Sequence, residues 1–166
     1  FVNNETDEQI TLDVDRFHRY GYAVTPDTFW YNRLTYDLNP GGFCIVKDKK
    51  FSKKGDIQTM QVVLADTNTS RLIHKTMHLR GRYLYTMAQV YDAEDGESSF
   101  WKTFNNSFTI TDTGITRSPF DPLVEIYIND LNSKDSTIKA EAEASVDYVS
   151  LKKAKSNVLI KGINQL

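Results

Sequence analysis

Between Asp56 and Tyr91 apolar side chains recur at every second residue, and beyond Tyr91 they recur at helical spacing. This change of rhythm limits the fold more than any other feature, because strand side chains alternate between two faces while helical ones return to one face about every 3.6 residues. In "DIQTMQVVLADT", Met60, Val62 and Leu64 share a face and Thr59 and Gln61 point the other way. In "RLIHKTMHL", Ile73, Met77 and Leu79 oppose His74, Thr76 and His78; in "YLYTMAQVYDA", Leu84, Ala88 and Val90 oppose Tyr83, Tyr85, Met87 and Tyr91. The polar turns "NTS" and "RGR" separate these runs, and the turn cluster "DLNPGG" precedes a further strand, "FCIVKDKK". Short turns between alternating strands predict an antiparallel meander. Upstream, Tyr20, Tyr22 and Val24 alternate with Gly21, Ala23 and Thr25, which predicts a short strand turned by Pro26-Asp27.

After the strands, Ser98 or Ser99 can cap a helix in which Phe100, Trp101, Phe104 and Phe108 form an apolar stripe, fit to cover one sheet face. "TDTGITRSPFDP" then marks a boundary, with two prolines and a glycine among small polar residues. Leu123, Ile126, Tyr127 and Leu131 predict a helix entered through Asp121-Pro122. "NSKDS" breaks the chain, Ile138, Ala142, Val146 and Val149 predict a second helix, and "SNVLIKGINQL" opens a third through Val158, Leu159 and Ile163. The expected fold class is α+β: an antiparallel sheet meander covered by helices, with a C-terminal all-helical extension. Residues 1–112 form the α+β sandwich domain, with "NNETDEQ" as a flexible N-terminal tether, and residues 119–166 form the helical segment.

A formal net charge of −2 gives no global attraction to nucleic acid or anionic lipid, so no nucleic-acid partner is expected. The basic run "KDKKFSKK", Lys47 to Lys54, reads as a solvated hairpin tip that discourages edge pairing. The lone Cys44 excludes an internal disulfide and reads as a small buried hydrophobe in a strand. No apolar run approaches the roughly 20 residues of a membrane-spanning helix, so no integral membrane segment is expected. The chain begins at Phe1 rather than Met, which suggests a processed or excised segment and leaves room for an export signal upstream.

His74 and His78 stand four apart, the spacing that aims two imidazoles at one metal ion on a helix. On a strand the same spacing separates them by about 13 Å, too far for one ion, so they read as solvent-facing or cross-strand histidines with no metal site. "DAEDGE", Asp92 to Glu97, lacks the ligand spacing of a calcium loop and reads as an acidic loop tip. Neither GxSxG, a P-loop nor GxGxxG occurs, and no cofactor is expected.

Two stretches carry resemblances. "GRYLYTMAQVYDAEDGESSFWKTFNNSF" is similar to the closing part of small exported bacterial α/β domains of the PsbP-like kind. In those a tyrosine-bearing strand (Arg82, Tyr83, Leu84, Tyr85 here) leads through an acidic loop into a short helix ending Phe-x-x-Ser-Phe, matched by Phe104, Ser107 and Phe108. The likeness spans residues 20–110, best over 80–108. It departs at Pro26 to Trp30, one residue longer than the family's P-x-x-W. It implies an antiparallel sheet flanked by helices, an accessory or binding role, and a cell-envelope or periplasmic setting. "INDLNSKDSTIKAEAEASVDYV" resembles the joint of a HEAT-type repeat, with Leu131, Asp135, Ile138, Lys139 and Ala142 in the family's places. There Asp135 would cap the second helix, Ala142 would allow close helix contact, and the array would continue beyond Leu166.

These readings favour a noncatalytic binding or scaffold module with a protein partner rather than a small molecule. The residues singled out for binding are Phe29, Trp30, Tyr31, Arg33 and Tyr36 in "TFWYNRLTY", because aromatic residues and arginine are enriched at interface hot spots. Trp30 as a plug at the sheet end is the competing role for that ring. Two alternatives stay open: a small-ligand carrier with a pocket between sheet and helix lined by Tyr83, Tyr85 and Phe104, and a hydrolase domain whose active site lies outside this segment.

Overall fold

In the computed structural model, which describes residues 1–21, 25–38, 44–111 and 117–149 together with Ile160 and Gly162, four strands form where the alternation places them, and a fifth forms at Ile10–Arg16, where no strand was expected. They are β1 (Ile10–Arg16), β2 (Cys44–Lys54), β3 (Ile57–Asp66), β4 (Arg71–Arg80) and β5 (Tyr83–Asp92). All neighbours are antiparallel, in the order β1-β5-β4-β3-β2. The four later strands run as a meander and β1 closes it beside β5, so the fold is α+β. The two tightest hairpins pair Lys54 with Ile57 and Arg80 with Tyr83. Each begins its loop on a left-handed glycine, Gly55 (φ 61°) and Gly81 (φ 53°), a conformation that a side chain would strain.

The chain divides into two compact units, Phe1–Arg16 with Pro26–Thr116, and Phe17–Thr25 with Arg117–Leu166. The segment Phe17–Thr25, assigned by its sequence to the sheet domain, thus belongs to the helical unit. The short strand expected around Tyr20 is a turn there, with Tyr20 fully buried; residues 22–24 lie outside those described. Pro26 does not turn a strand but opens a helix, α1 (Pro26–Leu38). Its fixed φ suits the first helical position, where the missing N–H has no intrahelical acceptor to lose.

In the first unit, register fixes two faces. Gln58, Met60, Val62 and Leu64 of β3 share a face with Leu79 and Met77 of β4, Leu84 and Thr86 of β5, and Asp13 and Asp15 of β1. This face carries α1. The other face holds Ile10, Leu12, His74, Thr76, His78, Met87 and Gln89 and carries a helix after β5, α2 (Ser99–Ser107). Ser98 caps α2, its hydroxyl accepting the Trp101 N–H at 3.0 Å. Trp101 sinks against Ile10 and Met87, with Leu12, Phe100, Phe104 and Phe108 around it.

The second unit holds α3 (Leu123–Leu131) and α4 (Ser136–Glu143). Asp135 caps α4, its carboxylate accepting the Thr137 N–H at 2.8 Å and the Ile138 N–H at 3.3 Å. The second helix is shorter than its sequence spacing suggested: α4 stops at Glu143, a 3-10 turn covers Val146–Tyr148, and Val146 faces solvent while Val149 is buried. The third helix expected from "SNVLIKGINQL" falls almost wholly outside the described residues. Tyr20, Tyr127, Ala142 and Val149 form the core, with Val124, Ile126 and Leu131 packed against it. Tyr20 and Tyr127 meet edge to face at 5.3 Å between ring centroids. Among the described residues no helix is long and apolar enough to cross a membrane.

Asp130 is the one buried acid of this core among the described residues. Arg19 donates to both of its oxygens, at 2.8 Å and 3.1 Å, the Tyr20 hydroxyl donates at 3.0 Å, and Arg117 approaches at 3.4 Å. Burial alone would raise the Asp130 pKa, but the Arg19 and Tyr20 hydrogen bonds and the two guanidinium charges outweigh it and hold the carboxyl below its usual value. Burial, then the neighbouring carboxylate, pushes the Tyr20 phenol up to about 12. Asp130→Asn keeps the shape and strands Arg19, so a denaturant melt of the full chain at neutral pH should show a loss of about 2–4 kcal/mol. Because the folded pKa is depressed, the Asp130 contribution is complete above about pH 4 and disappears as pH falls through the folded value. The gap between wild type and variant should therefore close in acid.

Candidate functional site

α1 carries its inward stripe at helical spacing: Phe29 and Trp30 are buried, Arg33 and Leu34 half-buried. Trp30 lies edge-on to Phe29 at 5.1 Å and to Phe51 of β2 at 5.9 Å, and its indole N–H donates to Gln58 Oε1 at 3.1 Å. Arg33 on the other flank forms an ion pair with Asp15 of β1. One helix about 10 Å wide thus rests on a sheet whose outer strands stand about 19 Å apart, and it leaves a cleft along each flank.

The first cleft, about 340 Å³, is lined by Asp27, Trp30, Tyr31 and Leu34 of α1 and by Lys49, Phe51 and Met60 of the sheet. Trp30, Phe51 and Met60 supply apolar lining, and Asp27 and Lys49 bring opposite charges to it. Phe51 is 52% exposed and Tyr31 70% exposed, so much of this apolar lining meets water. The second cleft, of similar volume, is polar: Asp13, Asp15 and Lys75 with Arg33, Tyr36, Met77 and Thr86.

The five binding residues named from the sequence therefore part company. Phe29 packs inward against Trp30 and lines neither of these clefts, Trp30 and Tyr31 line the first, and Arg33 and Tyr36 line the second. Sequence reasoning missed Leu34, Lys49, Phe51 and Met60. A signal for one of them was present, since Phe51 is a lone aromatic inside a lysine run. That run is not a hairpin tip: Lys47 to Lys54 belong to β2, and the turn follows at Gly55. Cys44, at the start of β2, is half-buried rather than enclosed.

On the opposite face the histidines are neither solvent-facing nor joined at one point. His74 lies buried under α2, where its Nδ1 meets the Glu97 carboxylate and also takes the Trp101 indole N–H at 3.1 Å. A proton on Nδ1 serves Glu97 and a lone pair serves Trp101, so the two partners compete for one atom. The acidic loop is thereby engaged: Glu97 reaches His74, and Asp92 accepts from the Ser70 hydroxyl at 2.5 Å. His78 stacks on Phe108 at 5.4 Å and pairs through Nδ1 with the Thr59 hydroxyl at 2.8 Å. The rings suggested as a ligand pocket pack on other rings instead, Tyr83 on Tyr85 at 6.3 Å, Tyr85 on Phe108 at 5.9 Å, and Phe104 on Phe1 at 4.6 Å. Thr76 Oγ1, His78 Nε2 and Gln89 Oε1 on this face are buried without a hydrogen-bond partner among the described residues. No protein-family model matches this chain and no curated protein matches it, so the two resemblances rest on the residues quoted for them.

Trp30→Ala opens a hole and strands Gln58, and should cost about 3–5 kcal/mol in a urea melt, whereas Tyr31→Ala should stay within about 0.5 kcal/mol of wild type. Burial lowers the His78 pKa from 6.5. The unfolded chain then takes up this proton first, so wild-type stability should fall as pH drops below about 6.5 and level off below the folded value. His78→Gln should flatten that part of the stability profile measured from pH 7.5 to 5, and an unchanged slope would show that His78 is not its source.

Proposed function

We propose that the first unit is a noncatalytic binding module that receives apolar or aromatic side chains of a protein partner in the cleft between α1 and β2. The observation that carries this reading is the exposure of Tyr31 and Phe51 beside that cleft, where folding alone gains nothing from leaving large rings in water. Aromatic residues next to a charged rim are the composition found at the centre of protein interfaces. The likeness of residues 80–108 to exported PsbP-like domains supports an accessory role in the bacterial cell envelope. The HEAT-type likeness supports the helical unit as the start of a helical array.

Carriage of a small molecule draws on the same cleft, since about 340 Å³ falls within the ordinary range of ligand sites. Such sites enclose most of their ligand, however, and this one is open along its length, which favours a side chain presented by a larger partner. N-acetyl-tryptophanamide titrated at millimolar concentration into isotope-labelled chain should shift the resonances of Tyr31, Leu34, Phe51 and Met60. Phe51→Ser should abolish those shifts while leaving the melt within about 1 kcal/mol of wild type. Shifts spread evenly over the surface, or absent from these four residues, would refute the reading.

A further inference from the structure

β2 is an edge strand of 11 residues, pairing among the described residues with β3 alone, and from Ile45 to Lys54 every side chain is exposed. Natural edges are usually kept short or covered, because a free edge presents a row of unpaired N–H and C=O groups. This one runs regularly from Asp48 to Lys54 beyond a single irregularity at Val46/Asp48. It also borders the cleft, to which it contributes Lys49 and Phe51.

Building on the binding-module reading, we infer that the free edge of β2 takes up an extended acidic segment of a partner protein as a sixth strand, seating one aromatic side chain of that segment in the cleft beside Phe51. The edge fixes the backbone mode: addition of a strand to an open sheet is a general means of peptide capture, with the main chain giving affinity and side-chain pockets giving specificity. Charge fixes the composition. Lys47, Lys49, Lys50, Lys53 and Lys54 stand against a single acid, Asp48. The pleat orders these residues, with Lys49, Phe51 and Lys53 on the α1 face and Lys50, Ser52 and Lys54 on the other. A matching strand carries acid, aromatic, acid toward α1 and acids opposite Lys50 and Lys54 on the far side.

The same lysines exclude a second β2, since a symmetric pair would bring like charges together. Lysines and a register break also guard an edge against indiscriminate pairing, but here they leave Phe51 exposed in their midst and Ile45 and Val46 before them, so an acidic strand is the kind that can approach. The acidic β1 edge of a second copy is the rival occupant. Asp15 there is already tied to Arg33, and the bridge between Val2 and Gln9 covers the start of that edge.

The test is fluorescence anisotropy with the full chain and a labelled peptide Glu-Glu-Thr-Trp-Glu-Glu-Thr, written for antiparallel addition to β2. The account expects saturable binding that weakens with salt and new amide protection along β2. Affinity should fall about tenfold or more for Lys49→Glu/Lys53→Glu, whose melt stays that of wild type, and for a peptide N-methylated at alternate residues. Equal binding of the N-methylated peptide would show charge attraction without strand addition and overturn the inference. So would no binding, or self-association of the chain in sedimentation that the peptide reverses. If N-acetyl-tryptophanamide still shifts Tyr31, Leu34, Phe51 and Met60 while the peptide fails, the inference falls and the binding-module reading stands; if both fail, both fall.

Discussion

A five-stranded sheet is wider than one helix, and the site described here follows from that mismatch. The turn chemistry at Gly55 and Gly81 and the alternation of three consecutive strands build a sheet whose two faces both carry apolar side chains. Each face receives one short helix. α2 packs Trp101 against Ile10 and Met87, with Phe104 and Phe108 in the same cluster. α1 anchors through Phe29, Trp30 and the Arg33–Asp15 pair and leaves open sheet on both flanks.

The two faces also differ in chemistry. Beneath α2 the sheet offers His74, Thr76, His78 and Gln89, polar groups held away from water and in part left without partners. The bonds that are made there, from the Trp101 indole N–H to His74 and from the Gln89 amide to the Ser98 hydroxyl, fix where α2 begins and how it sits. Beneath α1 the sheet offers Met60, Val62 and Leu64 of β3 with Phe51 and Lys49 of β2 on one side and Asp13 and Asp15 of β1 on the other, so the helix divides it into an aromatic cleft and a polar one. In the helical unit the corresponding polar anchor is Asp130, which ties Arg19 and Tyr20 of Phe17–Thr25 to α3.

The sheet was legible because period-two patterning survives burial: Met60, Val62 and Leu64 alternate with polar neighbours whatever covers them. α2 was legible for the matching reason, a serine cap followed by aromatics at helical spacing. α1 was not, because Pro26-Asp27 is equally a turn signal and the Tyr20 alternation suggested a strand before it. Yet Phe29, Trp30, Arg33 and Leu34 repeat as a helix does, and that spacing was the better guide. The histidines were placed on the correct face of β4, but periodicity says which side chains share a face and not which face a helix will cover. The site was half legible: "TFWYNRLTY" supplied Trp30 and Tyr31, whereas Phe51 and Met60 join them only through pairing of β2 with β3. The packing of α1 onto that hairpin, which brings Trp30 to Phe51, leaves no mark within a single stretch of sequence.

α1 leaves the rings at its flank open to solvent while its own anchors are closed. Hydroxyl-radical footprinting of the folded chain, read residue by residue by mass spectrometry, measures this directly. Tyr31, Tyr36 and Phe51 should oxidise at rates near those in the urea-unfolded chain, with Phe29, Trp30 and Trp101 strongly protected. Protection of Tyr31 and Phe51 as deep as that of Trp101 would mean that the flank of α1 is already covered, and the account would be wrong.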